Sequence, residues 1–460
     1  MTDLIIEYEA MSQEGAVVFL EKKEFLTLIE YYEKKYNIDR ALEVVEHALA
    51  QHSFSADIYV RKAQLLLEQG CYEEVLDTIS KASILDNSVN TIALPIRIRA
   101  LINLQLIDEA SEELVYFRTY FNDSFSEATA CYFEALIMEQ KGEFLGAFEA
   151  LQQALYIAPN HIEALSYIGI VVEYTGLYEE CAQVCKTIIN HNPYNALAWY
   201  YLGNAYSGME RFEKAFSCYE YAFLSDPTFE LGYKEAIVVS NQLKWYFKCI
   251  DICEDYHQQF GDDSFVASQL GIAYIHTDKI KQGRKILNVL LRKDDQNEEI
   301  LYNLGISFVK EGKHEKAISY FERAFEVNEL QDEYLSALAE AYNQAGYTDE
   351  AIECYREVTE MAPEIWSYWV QYATILMENG EEEAAIELLE EAELNAYCPE
   401  LTFVKVSCLL TMGRRKEGLN QLANLLEEYY EKYPIIFELL PQAQQDTEIL
   451  SIITAYKPCP

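Results

Sequence analysis

Between Ala196 and Pro227 the apolar residues fall on two helical rhythms. Trp199, Leu202, Gly203 and Tyr206 share one face of a first helix, and Ala215, Phe216, Tyr219 and Ala222 share one face of a second, because residues three and four apart meet on a helix surface. A turn near Gly208 separates the two, and Pro227 fits a helix stop before the next unit. Counted from Ala196, these residues take places 4, 7, 8, 11, 20, 21, 24, 27 and 32 of one unit.

Sliding this frame along the chain predicts unit starts near 22, 56, 91, 128, 162, 196, 230, 264, 298, 332, 366 and 399, with seven successive spacings of 34 between 128 and 366. Place 20 then holds Ala41, Val75, Ala110, Ala147, Cys181, Ala215, Cys249, Gly283, Ala317, Ala351, Ala385 and Gly418. All but Val75 are Ala, Cys or Gly, as expected if the second helix (B) of each unit must approach the first (A) closely. Proline stands at place 32 as Pro159, Pro193, Pro227 and Pro363.

The pattern predicts an all-α chain with an N-terminal cap at 1–21, a repeat array at 22–430 and a capping helix at 431–460. The cap is expected to use Phe437, Leu439, Leu440, Ile449, Leu450, Ile452 and Ile453, on a rhythm broken by Pro434 and Pro441. Two units are irregular. The one at 91 is 37 residues long, with Pro95 expected inside the first turn of its helix A and the polar stretch 121–124 at its end. The one at 399 is a residue short. No linker rich in Gly, Ser or Pro divides the array, so a single continuous solenoid is expected.

The signature W-x2-L-G-x2-Y…A-x3-F…P in Ala196–Pro227 resembles a tetratricopeptide repeat, a helix–turn–helix of 34 residues. The chain is read as a member of that family, of the bacterial cytoplasmic kind. The resemblance implies a right-handed superhelical solenoid of about twelve repeats with terminal capping helices. The function it implies is that of a protein–protein interaction scaffold, not an enzyme. Helices A would line a concave groove in which places 2, 5, 9, 12 and 13 touch a bound peptide.

Carried over place by place, the groove residues are Tyr132, Leu136, Ile170, Tyr174, Leu197, Tyr200, Asn204, Leu231, Lys234, Val238, Phe265, Ile272, Ile275, His276, Tyr302, Ile306 and Val309. The face is apolar and rich in tyrosine, which offers contact area and a hydroxyl at low entropic cost. One known arrangement of the family is not assembled. A clamp for chaperone C-termini needs Lys at place 5 with Asn at place 9, whereas Lys234 is followed by Val238 and Asn204 is preceded by Tyr200.

Charge changes the picture. With 35 Lys+Arg against 77 Asp+Glu the formal charge is 35 − 77 = −42, while 50% hydrophobic residues leave material for a core. A surface this acidic repels phosphate backbones, so no nucleic-acid partner is expected, and a basic protein or peptide fits the field best. The segment 357–404 holds twelve Glu and no Lys, Arg or His, with Trp366 and Trp369 as candidate anchors. Glu381, Glu382 and Glu383 open a helix B, where the dipole favours negative charge. Against this background Arg61, Lys62, Arg97 and Arg99 form a small basic spot. Arg97 and Arg99 are candidate carboxylate contacts, although neutralising nearby acids is the stronger expectation for such residues.

Other chemistry finds little support. The N-terminal sequence has no basic leader or long apolar run, and no segment is apolar enough for a membrane span, so a cytoplasmic location is expected. The 11 cysteines fit reduced, buried thiols. Cys181/Cys185 and Cys249/Cys253, the latter continued by His257, have metal-ligand spacing but sit at core places. Gly312-Lys313 lacks the partners of a phosphate loop. No metal or cofactor is expected. The alternatives are a regulatory receptor for a short peptide or small ligand, and self-association through the groove, which leaves a homo-oligomer open.

Overall fold

The computed structural model describes residues 4–6, 8–9, 19–121, 123–396 and 398–457, and every regular element among them is a helix. Asn122 of the polar stretch and most of the N-terminal cap expected at 1–21 lie outside the described residues. The chain forms two compact units, Met1–Val239 and Ser240–Pro460.

In the first unit the pairs are Lys22–Lys34 with Ile38–Gln51, Ala56–Glu68 with Tyr72–Leu85, Asn90–Asn103 with Ile107–Tyr120, Ser124–Gln140 with Phe144–Ile157, Ile162–Thr175 with Tyr178–His191, and Ala196–Gly208 with Phe212–Ser225. In the second they are Ser264–His276 with Ile280–Leu291, Glu298–Val309 with His314–Val327, Asp332–Ala345 with Thr348–Met361, Trp366–Glu378 with Glu382–Asn395, and Pro399–Thr411 with Arg415–Tyr429. The helices Glu230–Gln242 and Tyr246–Phe260 lie at the division. The two helices of each of these pairs pack on each other, and helices A of neighbouring pairs within a unit also touch, as Ile162–Thr175 does with Ala196–Gly208 and Ser264–His276 with Glu298–Val309.

Close approach within a pair depends on two places. Every place-20 residue is buried. At place 8, glycine receives the large side chain of place 24. A Cβ added to Gly203 would sit 2.5 Å from the Tyr219 ring, and one added to Gly305 would sit 2.4 Å from the Phe321 ring. One contact is backbone on backbone, where a Cβ on Gly283 would lie 2.4 Å from the carbonyl oxygen of Gly271.

The turn from A to B carries a signature that residue type conceals. Place 15 holds Tyr36, Gly70, Gln105, Gly142, Gly176, Glu210, Lys244, Asp278, Gly312, Gly346, Gly380 and Gly413, and each has a positive φ between 54° and 87°. The chain reverses there through one left-handed residue, whatever its side chain. In the reference unit the turn expected near Gly208 centres on Glu210, and Gly208 closes the helix.

The irregular repeat departs from its expected frame. Its helix A begins at Asn90, which puts Pro95 at the sixth helical position and not in the first turn. There the missing N–H removes the backbone bond that the Thr91 carbonyl would accept. The next helix A begins at Ser124, four residues before the expected start and 17 residues long, because Asp123 caps it by accepting from the Ser126 N–H at 3.0 Å. The C-terminal cap is two short helices, Pro434–Leu439 and Thr447–Ala455, each opened by a start signal, Pro434 at the first and the side chain of Asp446 at the second. Ile436, Leu440, Ile449 and Ile453 bury against Phe403, Val406, Leu422 and Leu426 of the last pair. Arg415 holds Asp446 through Nη2 and Glu448 through Nε at 2.6–2.7 Å.

Two substitutions test this packing. Replacing glycine by alanine inside a helix ordinarily stabilises by about 1 kcal/mol, but Gly283→Ala is expected to destabilise by about 2–3 kcal/mol because the new methyl meets backbone. Glu210→Gly is expected to raise stability by about 0.5–1 kcal/mol, since glycine removes the left-handed strain. Urea unfolding midpoints followed by circular dichroism read both, and a stabilised Gly283→Ala would refute the close approach.

Candidate protein-binding face

The exposed faces of helices A carry the residues expected to meet a partner, and burial divides them. In the first unit Ile170, Tyr174, Leu231 and Val238 are 48%, 65%, 50% and 36% exposed. Tyr174 stacks on Phe144 with ring centroids 4.8 Å apart, so the ring is presented at a fixed angle. Leu197 is half-buried. Tyr200 is also half-buried, edge-on to Phe229 at 5.5 Å and close to Tyr219, and burial pushes its hydroxyl pKa up. Asn204 accepts the Tyr219 hydroxyl at 2.9 Å, which commits its carbonyl to the repeat's interior. Lys234 pairs with Glu230 at 2.7 Å.

In the second unit Phe265 is exposed. Tyr302 is half-buried, donates to Glu333 Oε1 at 3.1 Å and lies against Tyr334 and Phe321. Burial and then the Glu333 carboxylate raise its pKa. Ile306 and Val309 are half-buried. Ile275 is fully buried in the core.

Four expected contacts are corrected by their burial. Tyr132, Leu136, Ile272 and Ile275 are 7%, 9%, 8% and 0% exposed, because their side chains fill the space against neighbouring helices instead of standing on the surface. Tyr132, for example, is close to Phe133, His161 and Tyr167. The candidate carboxylate pair is also corrected. Arg97 and Arg99 stand two residues apart on one helix and so face different ways. Arg97 pairs with Glu113 at 3.1 Å beside Glu109 and Glu112, whereas Arg99 lies over Tyr132. Arg61 pairs with Glu33 and Lys62 with Glu46, so neutralisation accounts for every member of the basic spot except Arg99.

Of the tryptophans in the acidic segment, Trp369 is buried and donates its indole N–H to the Pro363 carbonyl at 2.9 Å, while Trp366 is 40% exposed. Lys405 takes up Glu390 and Glu393, and Lys432 takes up Glu400. Ten cysteines are free thiols, and no group of three or more His, Cys, Asp or Glu suited to a metal is found among the described residues. Nor is any described helix long and apolar enough to cross a membrane.

His276 stacks on Tyr246 at 4.5 Å, and burial, with Lys310 and Lys244 adding to it, lowers its pKa to about 4. The imidazole is therefore neutral near pH 7. The unfolded chain takes up this proton near pH 6.5, so between about 6.5 and 4 it binds more protons than the folded chain. The stability His276 contributes is whole above that window and is lost as pH falls through it. His276→Phe cannot take up the proton, so its melting temperature relative to the unsubstituted chain is expected to rise from pH 7 to about pH 4.5. A difference that stays constant with pH would refute the neutral, buried histidine.

Helix pairs whose two members are joined by left-handed turns define a helical repeat protein. Profiles described as "Tetratricopeptide repeat" match residues 196–229, 296–364 and 337–397. The chain carries tetratricopeptide repeats in these segments. It is 31% identical over 97 residues to Tetratricopeptide repeat protein 17 of Danio rerio, a match covering 21% of this chain and 8% of that protein. To a TPR repeat-containing protein of Methanocaldococcus jannaschii it is 22% identical over 380 residues, covering 82% of this chain and 57% of the relative. Anaphase-promoting complex subunit 3 of Schizosaccharomyces pombe is 20% identical over 269 residues, or 58% and 34% of the two chains. The chain thus spans less than two thirds of the length of these relatives. Among solved structures, a tetratricopeptide repeat protein from Parabacteroides merdae aligns over 58% of this chain and 98% of its own, at 14% identity and a TM-score of 0.44.

Proposed function

We propose that this chain is a non-enzymatic scaffold that binds a peptide segment of a partner protein along the exposed faces of its helices A. The observation that carries the reading is the set Ile170, Tyr174, Leu231 and Val238, apolar side chains between about a third and two thirds exposed at the places where the family binds peptides. An apolar face kept open in a chain of net charge −42 is a surface with a use, since scattered exposure needs no explanation but aligned exposure does. Affinity comes from apolar and tyrosine contacts. The surrounding acids speed the approach of a basic partner in the cytoplasm.

Tyr200 and Tyr302 also hold helix contacts, so the exposed positions make the cleaner test. Ile170→Ala/Tyr174→Ala/Leu231→Ala is expected to fold with an unchanged melting temperature and to lose, by tenfold or more, proteins retained by the unsubstituted chain in a quantitative pull-down. Identical retention by both baits would overturn the reading. Retention of the chain by itself, with a dimer in size-exclusion chromatography, would replace it with self-association.

A further inference from the structure

The irregular repeat encloses a cavity of about 330 Å³ in the first unit, between the helices Ala56–Glu68, Asn90–Asn103 and Ser124–Gln140 and the start of Ile162–Thr175. Its walls are largely apolar, with Ile92, Phe125 and Phe133 among them, and its volume suits a small ligand or a chain end. Arg99 reaches into it. Among the described residues this guanidinium makes no ion pair, in contrast to Arg61, Lys62, Arg97 and Arg118, which all hold carboxylates. Its side chain donates a hydrogen bond through Nη2 to the Tyr132 hydroxyl at 3.3 Å.

The remaining polar groups settle what kind of ligand fits. His161 is 2% exposed. Its Nδ1 accepts the Ala164 N–H at 3.2 Å, so Nε2 carries the proton and donates to Thr129 Oγ1 at 3.1 Å, and Thr129 donates in turn to the Phe125 carbonyl at 3.0 Å. Burial holds this imidazole neutral, and its hydrogen bonds are used up, so it is a wall with Phe125 stacked on it at 5.3 Å. Ser126 donates to Asp123. Gln64 uses its carbonyl to accept from Arg61 at 2.9 Å, leaving its amide N–H groups. The Tyr132 hydroxyl accepts from Arg99 and keeps its own proton to give. Thus Arg99, Tyr132 and Gln64 all have donors to spare. The one acid on the lining, Glu163, is at the mouth with its side chain half-exposed.

We infer that this cavity is a binding site for a carboxylate borne on a short apolar body, with Arg99 as the charged contact, Tyr132 and Gln64 as further donors and the aromatic walls around the body. Arginine presents parallel N–H groups that match a carboxylate's two oxygens, and an acceptor-only ligand satisfies a wall of donors. Gln64, Arg99, Thr129 and Tyr132 stand at helix-A places of the same kind as the peptide face, but none belongs to the exposed set Ile170, Tyr174, Leu231 and Val238 that carries that reading, so a small acid fills the cavity whether or not that set binds anything.

Isothermal titration of the full chain tests it with 3-phenylpropionate, its uncharged amide and inorganic phosphate. Two capped dipeptides separate the sources of the carboxylate: N-acetyl-Ala-Phe with a free terminus, and N-acetyl-Glu-Phe amide with only a side-chain acid. At least one carboxylate is expected to bind at low-millimolar concentration while 3-phenylpropanamide does not. Arg99→Gln should weaken that binding by about tenfold or more, with Arg99→Lys between the two. Tyr132→Phe, which keeps the ring, gives a second reading should Arg99→Gln melt early. The Ile170→Ala/Tyr174→Ala/Leu231→Ala variant should bind the carboxylate unchanged, so failure of the peptide face and failure of this site are told apart. The inference is overturned if no carboxylate binds, if the amide binds equally, if phosphate binds in preference, if Arg99→Gln has no effect, or if the peptide-face variant loses the ligand too.

Discussion

The distance between the two helices of a pair governs the rest of this molecule. At Gly271 and Gly283 the backbones come so near that a single methyl would overlap a carbonyl oxygen, and at Gly203 and Gly305 an aromatic ring from helix B lies on the bare backbone of helix A. Helices this close share a thin core, filled by Ala, Cys and Gly at place 20 and by one large side chain at place 24. Apolar area inside a single pair is therefore small, and stability has to come from stacking pair on pair. Stacking uses one flank of each helix A and leaves another facing outward, which is where Ile170, Tyr174 and Leu231 remain exposed. The open apolar face is thus a by-product of how the pairs pack.

The same geometry explains how a chain of net charge −42 stays folded. Many of its acids stand on helices B, at first turns and in the connecting segments, where water screens them. Among the described residues most ion pairs join one helix to another, as Arg61 does to Glu33, Arg118 to Glu127 and Glu134, Lys405 to Glu390 and Glu393, and Arg415 to Asp446 and Glu448. Exposed pairs of this kind are each worth about 0–1 kcal/mol. They orient neighbours more than they hold them. Among the described residues Arg99 stands outside this scheme, with a tyrosine hydroxyl and no carboxylate as its side-chain partner, so its charge is available.

What the sequence discloses follows from what each place demands. Place 20 is legible because its requirement is steric, and few side chains satisfy it. Place 15 is just as strict in backbone conformation yet hidden, since Tyr36, Gln105, Glu210, Lys244 and Asp278 accept the left-handed φ that glycine takes in the other seven repeats. The outward face of helix A is legible as a face. Its depth is not: Tyr132 and Tyr174 fall at comparable places, but one is 7% and the other 65% exposed, decided by the size of residues about 30 positions away. Hydrogen bonds across that distance, such as Tyr302 to Glu333 and Arg99 to Tyr132, leave no local mark. The cavity was signalled only indirectly, by an unusual repeat length and a proline in an unexpected turn.

That indirect signal has a physical basis. The cavity lies where one repeat departs from the regular frame. Pro95 removes a backbone bond beside Thr91, and the helix Ser124–Gln140 begins early under the Asp123 cap. Between them lies the space that Phe125, His161 and Tyr132 line. Leaving such a gap has a cost in lost contacts, and leaving an unpaired guanidinium beside it in an acid-rich chain has a second. Two departures at one place, one of shape and one of charge, are hard to account for by packing alone, and a carboxylate ligand satisfies both.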